Sequence, residues 1–139
     1  MLRRRLALAA CCFWLFACGG PLEYKVASNP SAPGADAHIV ADVREDQQQT
    51  QLNVEIVNLP PPDRVDQAAT QYVAWYRKDS GQVWSRIAVL SYEADTREAS
   101  LVSAVPETEF ELEITAEPGA DVGSPSPTVV FSQLVAKND

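Results

Sequence analysis

The chain has 139 residues, 46% of them hydrophobic and 22% charged, the balance of one globular domain rather than of a disordered segment or a polytopic membrane protein. Nineteen acidic side chains against 11 basic ones give a net charge of -8, which excludes nucleic acid as the main partner because phosphate binding needs a basic footprint. One histidine and three cysteines leave little material for a histidine-based active site or a zinc site.

Met1-Leu2-Arg3-Arg4-Arg5 is a basic opening, and Leu6 to Ala17 follow as 12 residues without a charge. A bilayer span needs about 20 apolar residues, so the length and the basic flank predict a secretory signal peptide over residues 1–17. The run ends on Leu15-Phe16-Ala17-Cys18. This resembles the lipobox of bacterial lipoproteins, with Leu three before the Cys, a small residue just before it and the Cys as first mature residue. The resemblance implies a diacylglycerol on the Cys18 thiol and a third acyl chain on its new amine. Each buried CH₂ contributes about 0.8 kcal/mol, and two or more chains anchor stably. Gly19 stands where some inner-membrane lipoproteins carry Asp, so the resemblance implies the outer membrane, with the body facing the periplasm or the cell surface. Processing would leave residues 18–139, 122 in all, with 8 basic and 19 acidic side chains and Cys18 as the only cysteine. An acylated Cys18 leaves no disulfide, and stability then rests on the core.

Residues 18–35 are punctuated by Pro21, Pro30, Pro33 and Gly34 and predict a tether, with a short first strand possible over Leu22 to Val26. From 36 to 139 the pattern is β. In Gln51 to Ile56 every second residue is apolar, which turns Leu52, Val54 and Ile56 to one face. Glu109 to Thr115 does the same with Phe110, Leu112 and Ile114. His38 to Val43, Thr70 to Arg77, Val83 to Leu90, Ala99 to Val105 and Thr128 to Val135 complete the set. Lys78 to Gln82 is a glycine-containing hairpin loop between two of them. Two loops are proline-rich: Asn58 to Arg64, with three consecutive prolines, and Glu117 to Pro127. No crossover helices separate the strands, so the sheets are antiparallel. One-side-wet antiparallel strands must stack on a second sheet. The expected fold is all-β, an immunoglobulin-like sandwich of seven to eight strands with Trp75 as a candidate core tryptophan.

Tyr72-Val73-Ala74-Trp75, then Phe110 to Pro118, then Ser124 to Val130 resemble, in that order, the extracytoplasmic β-domain of anti-sigma-K-type regulators. The match covers about Tyr72 to Val135, half the chain. It implies the fold and an envelope location. Those regulators carry a cytoplasmic sigma-binding domain, and only 17 residues precede Cys18 here, so sigma-factor binding is not expected to transfer.

No residue set predicts catalysis, a cofactor or a metal. His38 lies in a short strand with no Gly-x-Ser-x-Gly elbow in the sequence, and predicts a strand side chain rather than a base. Glu107, Glu109, Glu111 and Glu113 fall two apart and predict an acidic strand face. A solvated face that blocks edge pairing explains them better than a calcium site or a carboxylate pair for glycoside hydrolysis. Asp42, Glu45 and Asp46 are read the same way. Tyr72, Tyr76 and Trp84 are the candidate binding residues, as an aromatic face for a sugar or a peptide. Alternation puts Tyr72, Ala74 and Tyr76 on one face and Val73 and Trp75 on the other, but both faces are apolar and neither is assigned outward. The expected role is a non-enzymatic accessory, binding or structural component of the cell envelope, anchored in the membrane through Cys18, with an envelope protein or ligand as partner. The alternative is a ligand-binding module for glycan, peptide or cation.

Overall fold

The computed structural model describes residues 20–119 and 121–138. The signal-peptide segment and the lipobox, Cys18 included, lie outside the described residues. Among the described residues nine strands form: β1 (Leu22–Ala27), β2 (Asp36–Arg44), β3 (Gln49–Val57), β4 (Gln71–Arg77), β5 (Ser85–Val89), β6 (Ser91–Glu93), β7 (Glu98–Val105), β8 (Phe110–Glu117) and β9 (Val129–Val135). Among the described residues one short α-helix, α1 (Pro62–Val65), begins on the third of the three consecutive prolines. The strands make two antiparallel sheets, β1-β2-β3-β7-β6 and β5-β4-β8-β9, and these pack as a β-sandwich.

The alternating segments form the core as their pattern requires. Leu52, Val54 and Ile56 of β3 and Phe110, Leu112 and Ile114 of β8 are all buried. Each such side chain contributes about 1.5–3 kcal/mol of apolar burial. Ile39, Tyr72, Phe131 and Val135 join the same cluster. On the other face of the five-stranded sheet, Glu23, Asn53, Glu55 and Ser100 are exposed.

Two departures from the sequence pattern matter. The expected tether over 18–35 is too long, because β1 pairs with β2 from Leu22↔Ala41 to Ala27↔Asp36, and Ala32 and Ala35 are fully buried. The β1–β2 loop is closed by Ser28 N donating to Ala35 O at 3.0 Å, with Gly34 at φ +87°, a conformation that costs glycine little. The ninth strand, β6, follows β5 after a single residue. Leu90 donates its N–H to Tyr72 O, and the chain then crosses to the other sheet and pairs with β7.

The two ends of the sandwich differ. The chain enters at the end that holds the β2–β3, β4–β5 and β7–β8 connections, where the Tyr24 hydroxyl donates to Ala136 O at 3.2 Å. The opposite end gathers the β1–β2 loop, the segment 58–70 and the proline-rich loop 118–128.

Candidate functional site

The three aromatic residues singled out as a binding face are not brought together. Tyr72 is fully buried on the inner face, opposite Ala116 of β8. Its hydroxyl donates to Pro60 O at 2.6 Å, and its ring meets Tyr92 edge-on at 5.7 Å. Burial, reinforced by Tyr92 and Asp63, pushes its phenol far above the usual tyrosine range. Tyr76 also faces inward, with its ring edge-on to Phe110 at 6.2 Å. Strand alternation fixes this result: core packing claims Tyr72 and Tyr76 together. Trp84 alone stays on the outer side. Trp75 is the reverse surprise. It is 1% exposed, yet it points away from the main core, between Val73 and Arg77 on the outer face of β4. Its Nε1–H donates to Thr115 Oγ1 at 2.9 Å.

Trp84 borders a shallow groove of about 340 Å³ on the outer face of β4, β8 and β9, lined also by Arg77, Glu111, Glu113 and Leu134. The Arg77 guanidinium lies 4.5 Å from the Trp84 ring centroid, a cation–π contact. The same guanidinium donates through Nε to Glu111. Glu111 and Arg77 are cross-strand partners, which explains the pairing. Two members of the expected acidic row are therefore not simple solvated charges. Glu113 titrates above the ordinary carboxylate range, because burial disfavours its charge and Glu111 repels it, while Arg77 opposes both. The sign follows. An acid held above its unfolded value keeps a proton that the unfolded chain has released, so its effect on stability becomes unfavourable as pH rises past about 4.5. Glu113→Gln should therefore raise the melting temperature at pH 7, and the gain should vanish near pH 4. Thermal melts of both proteins at the two pH values check this.

At the far end the loops are tied to one another. Asn29 N donates to Val130 O at 2.8 Å, and Thr70 N to Glu117 O at 2.8 Å. Thr128 Oγ1 donates to Asp66 Oδ2 at 2.9 Å. The Tyr92 hydroxyl donates to Leu59 O at 2.8 Å, beside the Tyr72 bond to Pro60. Glu117 is the hub of the proline-rich loop. It is 1% exposed and accepts from Thr115 Oγ1 at 2.5 Å and from Ser126 N at 2.6 Å. Ser126 Oγ also donates to Ala116 O. A buried hydrogen-bonded series thus runs from Trp75 through Thr115 and Glu117 to Ser126.

Glu109 is exposed and Glu107 half-buried, both ahead of β8. The Glu107 carbonyl accepts from Thr50 Oγ1 at 2.7 Å. Asp42 is bonded by Arg44 at 3.1 Å, Glu45 by Lys137 at 3.0 Å, and Asp46 is exposed. His38, on the outer face of β2, lies 3.7 Å from the Glu23 carboxylate. Among the described residues, no group of three or more His, Cys, Asp or Glu side chains is placed to hold a metal, and no helix is long and apolar enough to cross a membrane. Arg77, Glu117 and Ser126 belong to no catalytic or binding motif in the sequence. Alternation already put Arg77 beside Trp75, but the register with Glu111, 34 residues away, has no local signal.

Fold and sites together define a two-sheet antiparallel β-sandwich with pinned loops at one end and a charged aromatic groove toward the other. No family model, curated protein or solved structure matches the chain.

Proposed function

We propose that the protein is a lipid-anchored, non-enzymatic accessory of the bacterial cell envelope. It is held at the outer membrane through Cys18 and presents its far-end loops to an envelope protein. One observation carries this reading: the chain enters the sandwich at one end, and the hydrogen-bonded loops 28–35, 58–70 and 118–128 sit at the other. An anchor at the entry end turns those loops away from the bilayer. Loops already tied by Asn29–Val130, Thr70–Glu117 and Thr128–Asp66 bonds lose little entropy when a partner binds. Prolines at 60–62, 118, 125 and 127 stiffen them further.

Strand order supports an immunoglobulin-like arrangement. With β1 set aside as an added edge strand, the sheets run β2-β3-β7-β6 and β5-β4-β8-β9, the order of strands A-B-E-D facing C′-C-F-G. Trp75 departs from that pattern, since it is buried outside the main core.

The test is site-specific photo-crosslinking in cells. A photoreactive residue at Ser31, Asp63 or Asp121 should give adducts with one partner. The same residue at Val102, exposed on the face of the five-stranded sheet, should not. Adducts of equal yield from Val102 would move the interface off the loop end.

A further inference from the structure

Three apolar side chains toward the entry end, Val83, Trp84 and Leu134, lie outside the core, the last two on either side of the Arg77–Glu111 pair. Val83, in the β4–β5 hairpin loop, is 84% exposed, the highest value among the exposed large hydrophobic residues described. Trp84 follows it, and Leu134, 59% exposed, lines the same groove as Trp84. Leu134 is placed there because it pairs with Glu111, which pairs with Arg77 at the start of the hairpin loop. A tryptophan beside two exposed aliphatic side chains suits a membrane interface, where the indole keeps its body in apolar surroundings and its N–H near water.

The sequence outside the described residues indicates what covers this patch. The described chain enters β1 at this end, and in the anchored reading the lipid-bearing Cys18 is its first mature residue. Only Gly19, Gly20 and Pro21 separate Cys18 from β1. Four peptide steps reach at most ~14 Å, so an anchored sandwich cannot stand well clear of the bilayer, and the hairpin loop faces the headgroups. The charges select the lipid. Glu45, Asp46, Asp79, Glu107 and Glu109 lie in the connections at this end and outnumber Lys78 and Lys137 there, and Lys137 is engaged by Glu45. Such an end is repelled by anionic headgroups.

Resting on the lipid-anchor reading above, we infer that Val83, Trp84 and Leu134 make a second contact with the bilayer. They seat the entry end of the sandwich on a zwitterionic phospholipid surface. Cys18 restricts the search to that surface, and the patch fixes the orientation that turns the far-end loops outward.

The experiment imposes the anchor chemically, so that failure of the contact and failure of natural lipidation are read separately. Residues 18–139 contain every described strand and the described core, and Cys18 is their only cysteine. They are coupled through that thiol to a maleimide lipid in phosphatidylcholine vesicles with brominated acyl chains. The Trp84 emission should shift to the blue and be quenched relative to vesicles without bromine. Trp84→Phe should leave only emission from Trp75, insensitive to bromine. The pair Val83→Asp and Leu134→Asp, both at exposed positions, should lose the quenching and keep the near-ultraviolet circular dichroism of the parent. Replacing half the lipid by phosphatidylglycerol should weaken the quenching. Equal emission on brominated and plain vesicles would overturn the contact, as would quenching that survives the double aspartate variant. Stronger quenching on the anionic vesicles would overturn the zwitterionic assignment.

Discussion

Trp75→Ala should destabilise the sandwich by about 3–5 kcal/mol, the cost of emptying a large buried aromatic site. Whole domains of this kind are stable by only about 5–15 kcal/mol, so the variant should be close to unfolding at growth temperature. Trp75 is 1% exposed, although it lies on the outer face of its sheet. Its cross-strand partners are Glu113 and Arg86, long side chains that cannot collapse into the space without burying charge. Trp75→Phe keeps most of the apolar area and loses the bond to Thr115. It should cost about 1–2 kcal/mol. Urea unfolding of the three proteins measures both values. A loss below 1 kcal/mol for the alanine variant would mean that the outer face of β4 is open to water.

Glu117→Ala should cost about 2–4 kcal/mol and loosen the far end. Its carboxylate accepts from the Ser126 amide and the Thr115 hydroxyl. Bonds to a charged acceptor are worth about 1.5–3 kcal/mol, and a buried donor left alone adds its own desolvation penalty. Glu117→Gln retains one acceptor oxygen and should lose about half as much. Amide hydrogen exchange separates the local effect from the global one. The Ser126 amide should exchange at least about tenfold faster in the alanine variant, a factor that corresponds to ~1.4 kcal/mol, while Leu52 and Val54 change only with global stability. Unchanged protection at Ser126 would show that the loop does not depend on this carboxylate.

The two properties connect to the function proposed for the loop end. Trp75, Thr115, Glu117 and Ser126 form one series of bonds, so the sheet's outer face and the proline-rich loop are set by the same network. A loop held this way presents a fixed shape, and the Glu117→Ala variant should bind a partner more weakly than its overall stability requires.

Much of the fold was legible from local pattern. Leu52, Val54 and Ile56, with Phe110, Leu112 and Ile114, alternate so regularly that their inward face could be assigned without a structure. β6 was not legible. Ser91-Tyr92-Glu93 offers three residues and one apolar side chain, and the step from one sheet to the other at Leu90 depends on tertiary pairing alone. The buried Ala32 and Ala35 were hidden among prolines, where small side chains carry no periodic signal. β4 was ambiguous for a definite reason. Its two faces, Tyr72-Ala74-Tyr76 and Val73-Trp75, are both apolar, and all of these residues are buried except Tyr76, which is half-buried. The aromatic trio failed for the same cause, because alternation sends Tyr72 and Tyr76 inward while Trp84 sits beyond the strand. The groove's Arg77–Glu111 pair depends on register between distant segments, and the Glu117–Ser126 bond on how the proline-rich loop folds back across nine residues, neither of which composition and spacing encode.

The intact mass of the protein extracted from Gram-negative membranes reads the proposed anchor at Cys18. The expected result is the mass of residues 18–139 plus a diacylglycerol and one further acyl chain. An unmodified chain, or one that retains residues 1–17, would contradict it.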